Sequence, residues 1–361
     1  MVVEGVIMDI KVIRSQNLKT KPDVNTLGFG KYFTDHMFLM DYTEGIGWHD
    51  ARIVPYGPLE LDPATMVLHY AQETFEGMKA YRRKDGKIQL FRPAMNARRM
   101  QQSNERLCIP ALPVEDFVEA VKAIVRVDSE WVPSKEGTSL YIRPFMYATE
   151  AAVGVHAAKS YQFVIICCSV GAYYLNGITP VKIYVESEYV RAVKGGTGFA
   201  KCGGNYASSI IAQKKAQELG YTQVLWLDAI EHKYVEEVGT MNAMFVVDGK
   251  IYTSPINGSV LPGITRDSCL HILRSWGYEV HEKALSIDEL MEAGRNGTLQ
   301  ECFGTGTAAV ISPIGELFYN GETIVINNGE LGTLTKRLYD ELTGIQWGNC
   351  KDTYNWCVEI D

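Results

Sequence analysis

Along this chain the spacing of apolar positions switches repeatedly between a period near two and a period near four, and each switch marks an element. "MFLMDY", from Met37, reads as a strand, and "PATMVLHYAQETF", opened by Pro63, reads as a helix. "MKAYRRKDGKIQLFRP" reads as a hairpin turning at Asp85-Gly86. "PAMNARRMQQSNERL" and "PVEDFVEAVKAIVRV" read as helices with a proline near each start. "TSLYIRPFMY" and "SYQFVIICCSV" read as strands.

At "YLNGITP", residues 174–180, the periodicity lapses, and this stretch is the expected linker. It divides an N-terminal domain, 1–173, from a C-terminal domain, 181–361. Beyond it, "VKIYVES" and "TQVLWLD" read as strands, and "YASSIIAQKKAQELG" reads as a helix stopped by Gly220. "MNAMFVVDGKIYTS" and "GELFYNGETIVI" read as hairpins turning at Asp248-Gly249 and Asn320-Gly321. "SIDELMEAG" opens with a capping box, Ser286 and Glu289, and "LTKRLYDELTG" is the last helix. Hairpins with helices beside them predict α/β domains of α+β character or a mixed barrel, not a doubly wound parallel sheet.

Composition narrows the classes. With 361 residues, 46% hydrophobic and 22% charged, the chain fits a globular protein of about two domains. A net charge of −8 gives no footprint for nucleic acid. The longest apolar run, Phe163 to Leu175, contains Ser169 and is too short for a membrane span. Glu4, Asp9 and Lys11 break up the N-terminus, which lacks the pattern of a signal peptide, so a cytoplasmic location is expected. The eight cysteines form no C-x-x-C and are expected to be reduced core thiols, and no metal site is expected.

The chemistry gathers in a few stretches. "GFAKCGGNYASS" sets Lys201 among Gly198, Gly203 and Gly204, with Tyr206 following. Lysine becomes a nucleophile when it is held partly dry, and the flanking glycines would let the backbone approach a flat ligand. "YVEEVGTMN" offers Glu236 and Glu237, which read either as a solvated loop or as an acid facing a pocket. "LPGITRDS" places Pro262-Gly263 before a helix start, and "CFGTGTAAV" alternates glycine with threonine; both suit an anion or are plain turns. Arg98 and Arg99 lie on one helix, and Arg143 shares a strand face with Tyr141. An imine-forming lysine, an acid, two donor-rich turns and arginines together fit one cofactor, pyridoxal phosphate (PLP).

In order, "DHMFLMDY", "FEGMKAY", "LFRPAMNARRM", "TSLYIRP", "KCGGNYASS", "EEVGTMN", "LPGITRDS" and "FGTGTAAV" closely resemble the branched-chain amino acid aminotransferases, fold-type IV PLP enzymes. The resemblance runs from about Lys21 to Gly344. It implies a smaller N-terminal α/β domain, a larger C-terminal barrel-like domain with helices, and the cofactor in the interdomain cleft. It implies that Lys201 carries PLP as a Schiff base and moves the proton from substrate Cα. Tyr206 would bond the ring oxygen, Glu237 the pyridine nitrogen and Arg99 the phosphate. Ile264, Thr265 and Thr305 would add phosphate donors, and Leu261 would pack near the ring.

Phe29, Tyr70, Phe75, Tyr141, Val155 and Tyr173 would meet the substrate side chain. Thr240, Thr307 and Ala308 would lie near its carboxylate, and Arg143 would greet the second carboxylate of 2-oxoglutarate or glutamate. The implied reaction moves the amino group of L-leucine, L-isoleucine or L-valine to 2-oxoglutarate by ping-pong half-reactions. A homodimer is implied, with Tyr70 and Val155 in segments able to cross to the neighbouring subunit. Some animal members carry a C-x-x-C pair just after the Thr-Ala of the last loop; Ala308–Ser312 has none, so a thiol switch there is not expected. The rivals are a D-amino acid aminotransferase or aminodeoxychorismate lyase of the same fold class, and a protein that only binds the cofactor.

Overall fold

A computed structural model describes residues 8–171 and 178–360. It divides into two compact units. One takes the chain before the 172–177 stretch, together with Ala200–Gly203 and the C-terminal segment from Ile345. The other takes the remainder up to Gly344. The expected linker at 174–180 falls mostly outside the described residues.

The first unit is built on a ten-stranded sheet. Its strands are β1 (Lys11–Val12), β2 (Tyr32–Phe33), β3 (His36–Thr43), β4 (Gly47–Pro55), β5 (Glu73–Phe75), β6 (Met78–Arg82), β7 (Ile88–Phe91), β8 (Ser139–Ala148), β9 (Ser160–Val170) and a C-terminal strand, Cys357–Ile360. The main order is β1-β4-β3-β9-β8-β6-β7 followed by the C-terminal strand, with β2 on β9 and β5 on β8. The helices are α1 (Met66–Tyr70), α2 (Pro93–Arg106) and α3 (Val114–Val127).

On α3, Phe117, Ala120, Val121, Ile124 and Val125 recur at helical spacing, and all are buried. They share a core with Leu140, Ile142, Met146 and Ala148 of β8. Each such large side chain contributes about 1.5–3 kcal/mol when buried. The alternate residues of β8, Tyr141, Arg143, Phe145 and Tyr147, therefore face the other side of the sheet.

Two expectations are corrected here. The helix expected over 63–75 is only α1, because Ala71 turns left-handed at φ 50° and the chain then enters β5 against β8. The C-terminal domain does not run unbroken from 181 to 361. Ile345 onward belongs with the first unit, where Cys357–Ile360 pairs with β7, and so does the Lys201 segment.

The second unit holds a nine-stranded mixed sheet. Its strands are β10 (Val181–Glu186), β11 (Gln223–Leu227), β12 (Val235–Val238), β13 (Met241–Val247), β14 (Lys250–Thr253), β15 (Val280–Glu282), β16 (Leu299–Gly306), β17 (Val310–Tyr319) and β18 (Glu322–Val325). Six of them follow the order β12-β11-β10-β17-β16-β13, and the β12–β13 pairing closes the ring into a barrel. The remaining helices are α4 (Gly203–Ala207), α5 (Ile210–Glu218), α6 (Ile264–Ser275), α7 (Ile287–Arg295) and α8 (Thr333–Gln346). The capping box at Ser286 and Glu289 is formed in both directions. Asp248-Gly249 and Asn320-Gly321 take the paired positive φ angles that a tight hairpin needs.

Candidate active site

In the first unit, five of the expected residues come together on the face of the sheet opposite α3. Lys201 is fixed on both sides of its main chain. Its N–H donates to Ser103 Oγ at 2.9 Å, and its carbonyl accepts from the Phe75 N–H at 3.0 Å. Lys201 Nζ lies 4.7 Å from the centre of the Phe75 ring. The Arg143 guanidinium lies 4.7 Å from the same ring, and its Nη2 donates to the Tyr141 hydroxyl at 2.8 Å. Phe29 meets Tyr141 edge to face at 4.9 Å. Each cation gains from the quadrupole of the ring. Among the described residues Arg143 Nε has no hydrogen-bond partner.

At Gly203 the position a side chain would take is filled by the Glu73 carboxylate, which accepts the Gly203 N–H. Gly204 does have open space at that point. Burial pushes the Glu73 carboxyl above the ordinary range, although the Gly203 N–H and the Arg143 charge pull it down.

Arg99 is buried, and Glu76 holds it through two parallel bonds, Nε to Oε1 and Nη2 to Oε2, both 2.8 Å. Glu76 is fully buried and also accepts from Asn96 Nδ2 at 2.8 Å. Arg98, its neighbour, is exposed. Tyr70 and Val155 are not in the cluster. Tyr70 is 38% exposed and its hydroxyl donates to the Val153 carbonyl, while Val155 is 83% exposed. Tyr173 lies outside the described residues.

In the second unit a row of polar side chains crosses three strands of the barrel. Glu237 of β12 pairs with Asn242 of β13, and Asn242 pairs with Thr305 of β16, so all three share one face. Glu237 Oε1 accepts the Leu261 N–H at 2.8 Å and Asn242 Nδ2 at 3.2 Å. Arg191 Nε stands 3.1 Å from Glu237 Oε2, an ion pair. Asn242 Nδ2 also donates to the Leu261 carbonyl at 2.9 Å. The row is thereby tied to the segment that opens α6, whose first residues are Ile264 and Thr265, both buried.

The adjacent acids are not a solvated loop, since Glu236 and Glu237 are 4% and 3% exposed on a barrel strand. Glu236 accepts from Ser259 Oγ. Thr240 is exposed in the β12–β13 turn, and Thr307 and Ala308 are half-buried in the β16–β17 turn. Met241 joins these turns: a Cβ on Gly304 or Gly306 would meet its side chain at 2.8 Å and 3.0 Å. Tyr206 is half-buried on α4.

Sequence reasoning missed Glu73, Glu76, Ser103, Arg191 and Asn242. Glu76 carried a faint signal, an acid set between Phe75 and Gly77 in an apolar stretch. Arg191 and Ser103 carried none, because their partners are distant in the chain.

The residues fit a PLP-type cofactor. Thr305 Oγ1 is a buried hydroxyl without a hydrogen-bond partner among the described residues, and it stands in the row that includes Glu237. A buried hydroxyl left so is costly unless a ligand satisfies it.

The family described as amino-transferase class IV matches residues 73–317. The branched-chain-amino-acid aminotransferase 2 of Bacillus subtilis is 55% identical over 351 residues, 97% of each chain. The branched-chain-amino-acid transaminase 1 of the same organism is 55% identical, covering 95% of this chain and 96% of its own. Among solved structures, the Escherichia coli branched-chain amino acid aminotransferase superposes with a TM-score of 0.74 at 26% identity, over 90% of this chain and 99% of its own. The T.th. branched-chain amino acid aminotransferase complexed with N-(5'-phosphopyridoxyl)-L-glutamate superposes at 0.72 and 26% identity, over 89% and 98%. The chain belongs to the class IV aminotransferases, which use PLP.

Proposed function

We propose that this chain is a branched-chain amino acid aminotransferase, moving the amino group of L-leucine, L-isoleucine or L-valine reversibly to 2-oxoglutarate. The names and extent of its relatives support the reading, and they do not favour a D-amino acid aminotransferase or aminodeoxychorismate lyase. The observation that carries it is Lys201, clamped through its own N–H and carbonyl with its amine over Phe75.

When bound, PLP supplies an aldehyde that accepts the amino group and a ring that draws electrons from the bond broken at Cα. Lys201 Nζ holds the cofactor and then moves the proton at Cα. A main chain fixed on both sides keeps that amine from wandering between the two tasks. Glu237 keeps a proton on the ring nitrogen, and Arg191 beside it favours the carboxylate that does so. Tyr206 donates to the ring oxygen, and Leu261 packs against the ring. The N–H groups of Ile264 and Thr265 at the start of α6, the Thr305 hydroxyl and Arg99 bind the phosphate.

Phe29, Phe75 and Tyr141 receive the branched side chain together with Tyr173. Tyr70 and Val155 join them only by crossing to the neighbouring subunit of a homodimer, and Arg143 receives the second carboxylate of 2-oxoglutarate. Thr240, Thr307 and Ala308 hold the substrate carboxylate. A homodimer in the cytoplasm completes the reading. Its support is an apolar patch around α1, with Leu68 and Val153 exposed at 58% and 69%; sedimentation velocity of the holoenzyme decides it, and a monomer would refute it.

Borohydride reduction of the PLP-loaded enzyme followed by peptide mass mapping tests the assignment. The phosphopyridoxyl group is expected on Lys201 alone. In Lys201→Ala the label and the transamination should both vanish, the latter by at least about 10⁴-fold. A label on another lysine, or activity retained without Lys201, would overturn it.

A further inference from the structure

One pocket must accept an uncharged branched side chain in one half-reaction and a carboxylate in the other. This inference rests on that reading of Arg143. An arginine facing an isobutyl group would leave a cation poorly solvated, which is costly. The chain carries an acid in position to answer it. Glu73 and Phe75 lie two apart on β5, so their side chains share a face. Their partners across the ladder, Tyr147 and Phe145, alternate along β8 with Arg143 on that same face. The Phe75 ring carries the Arg143 guanidinium at 4.7 Å. The Glu73 carboxylate is itself anchored, accepting the Gly203 N–H two residues after Lys201.

We propose that Glu73 is the specificity-determining counter-charge of Arg143. It neutralises the arginine when the substrate side chain is apolar and gives way, by taking a proton, when a second carboxylate enters. Glu73 acts through Arg143 and is therefore a positioning residue, not a catalytic one.

Ionised Glu73 and Arg143 form a neutral wall for the branched group. A dicarboxylate brings a second anion to the same arginine, and two anions sharing one cation favour protonation of one of them. One proton, taken from solvent onto Glu73, leaves Arg143 to the incoming carboxylate. Burial already holds this carboxyl above the ordinary range, which favours taking that proton. The other ionisable groups on the elements packed against β5 are few. Tyr141 and Tyr147 lie on β8, and burial pushes the Tyr147 phenol up to about 12. Lys79 is buried on β6 opposite Tyr141, and Lys201 follows. Arg99 of α2 is neutralised by Glu76, and Arg98, Glu105 and Arg106 on α2 are exposed. Of the cations among these, Arg143 is the one whose charge acts on Glu73.

The test compares two unreactive probes, glutarate and 4-methylpentanoate, binding to the holoenzyme between pH 5.5 and 8. Cys202-Gly203 is the only Cys-Gly pair in the sequence. Carbonyl-¹³C cysteine with ¹⁵N glycine therefore isolates the Gly203 amide, which reports the Glu73 charge directly. In the wild type, the preference for glutarate should rise about tenfold as pH falls, and the Gly203 amide should titrate above the ordinary carboxylate range. In Glu73→Gln the preference should be high and flat with pH, and that titration should vanish. Arg143→Gln should lose the glutarate preference in either background. Any general damage from Glu73→Gln cancels in the ratio between the two probes. A wild-type ratio independent of pH, or one that Glu73→Gln leaves unchanged, would overturn the proposal. Failure to transaminate would sink the parent reading alone, because neither probe needs the reaction.

Discussion

Arg99 commits Nε and Nη2 to Glu76. Pairing fixes the guanidinium plane, so a phosphate would meet a fork already oriented. Removing one member of a buried ion pair strands the other, at about 3–5 kcal/mol. Glu76→Ala should therefore lower stability by that amount in urea unfolding and weaken PLP retention on dialysis. A loss below about 1 kcal/mol would mean the pair contributes little. At this scale the sequence was readable where the arrangement is local, with Tyr141 and Arg143 on one strand face. It was unreadable where the partner is remote. Nothing near Ser103 announces that it accepts the Lys201 N–H, and "EE" alone could not say that both acids are buried on a strand.

At the scale of elements, β6 carries a tension. Met78 and Ala80 enter the core, while Lys79 points to the other face opposite Tyr141 and is buried as well. Burial lowers the Lys79 amine to about 8. The folded state thus gives up this proton from about pH 8, whereas the unfolded chain holds it up to its ordinary value of 10.5, so the buried charge costs stability in full below about pH 8. Stability from this residue rises with pH between those two values. Lys79→Met should be more stable than the wild type at pH 7 by about 1–3 kcal/mol. The gain should fade as pH climbs from 8 to 10.5. Thermal melts at about pH 7 and about pH 10 decide it, and an equal difference at both would refute the burial argument. Elements with strong local codes were legible, including α3 by its spacing and α7 by its capping box. The helix expected over 63–75 was not, because the left-handed turn at Ala71 and the pairing of β5 with β8 are tertiary outcomes.

At the scale of the molecule, the hairpins at Asp85-Gly86, Asp248-Gly249 and Asn320-Gly321 were visible in the sequence, but several strands, among them β4, β12 and β16, and the pairing that closes the barrel were not. The barrel closes through pairing of β12 with β13, and Cys357–Ile360 returns to β7, a partner far earlier in the chain. Periodicity carries no information about such distant pairings. The central claim is that this fold transfers an amino group between branched-chain amino acids and 2-oxoglutarate. Its most direct test is the PLP-loaded enzyme incubated with 2-oxoglutarate and either L-leucine or D-alanine, with L-glutamate and the oxo acids quantified by mass spectrometry. L-glutamate and 4-methyl-2-oxopentanoate are expected in equal amounts from L-leucine, and none from D-alanine. Turnover of D-alanine but not L-leucine, or of neither, would contradict it.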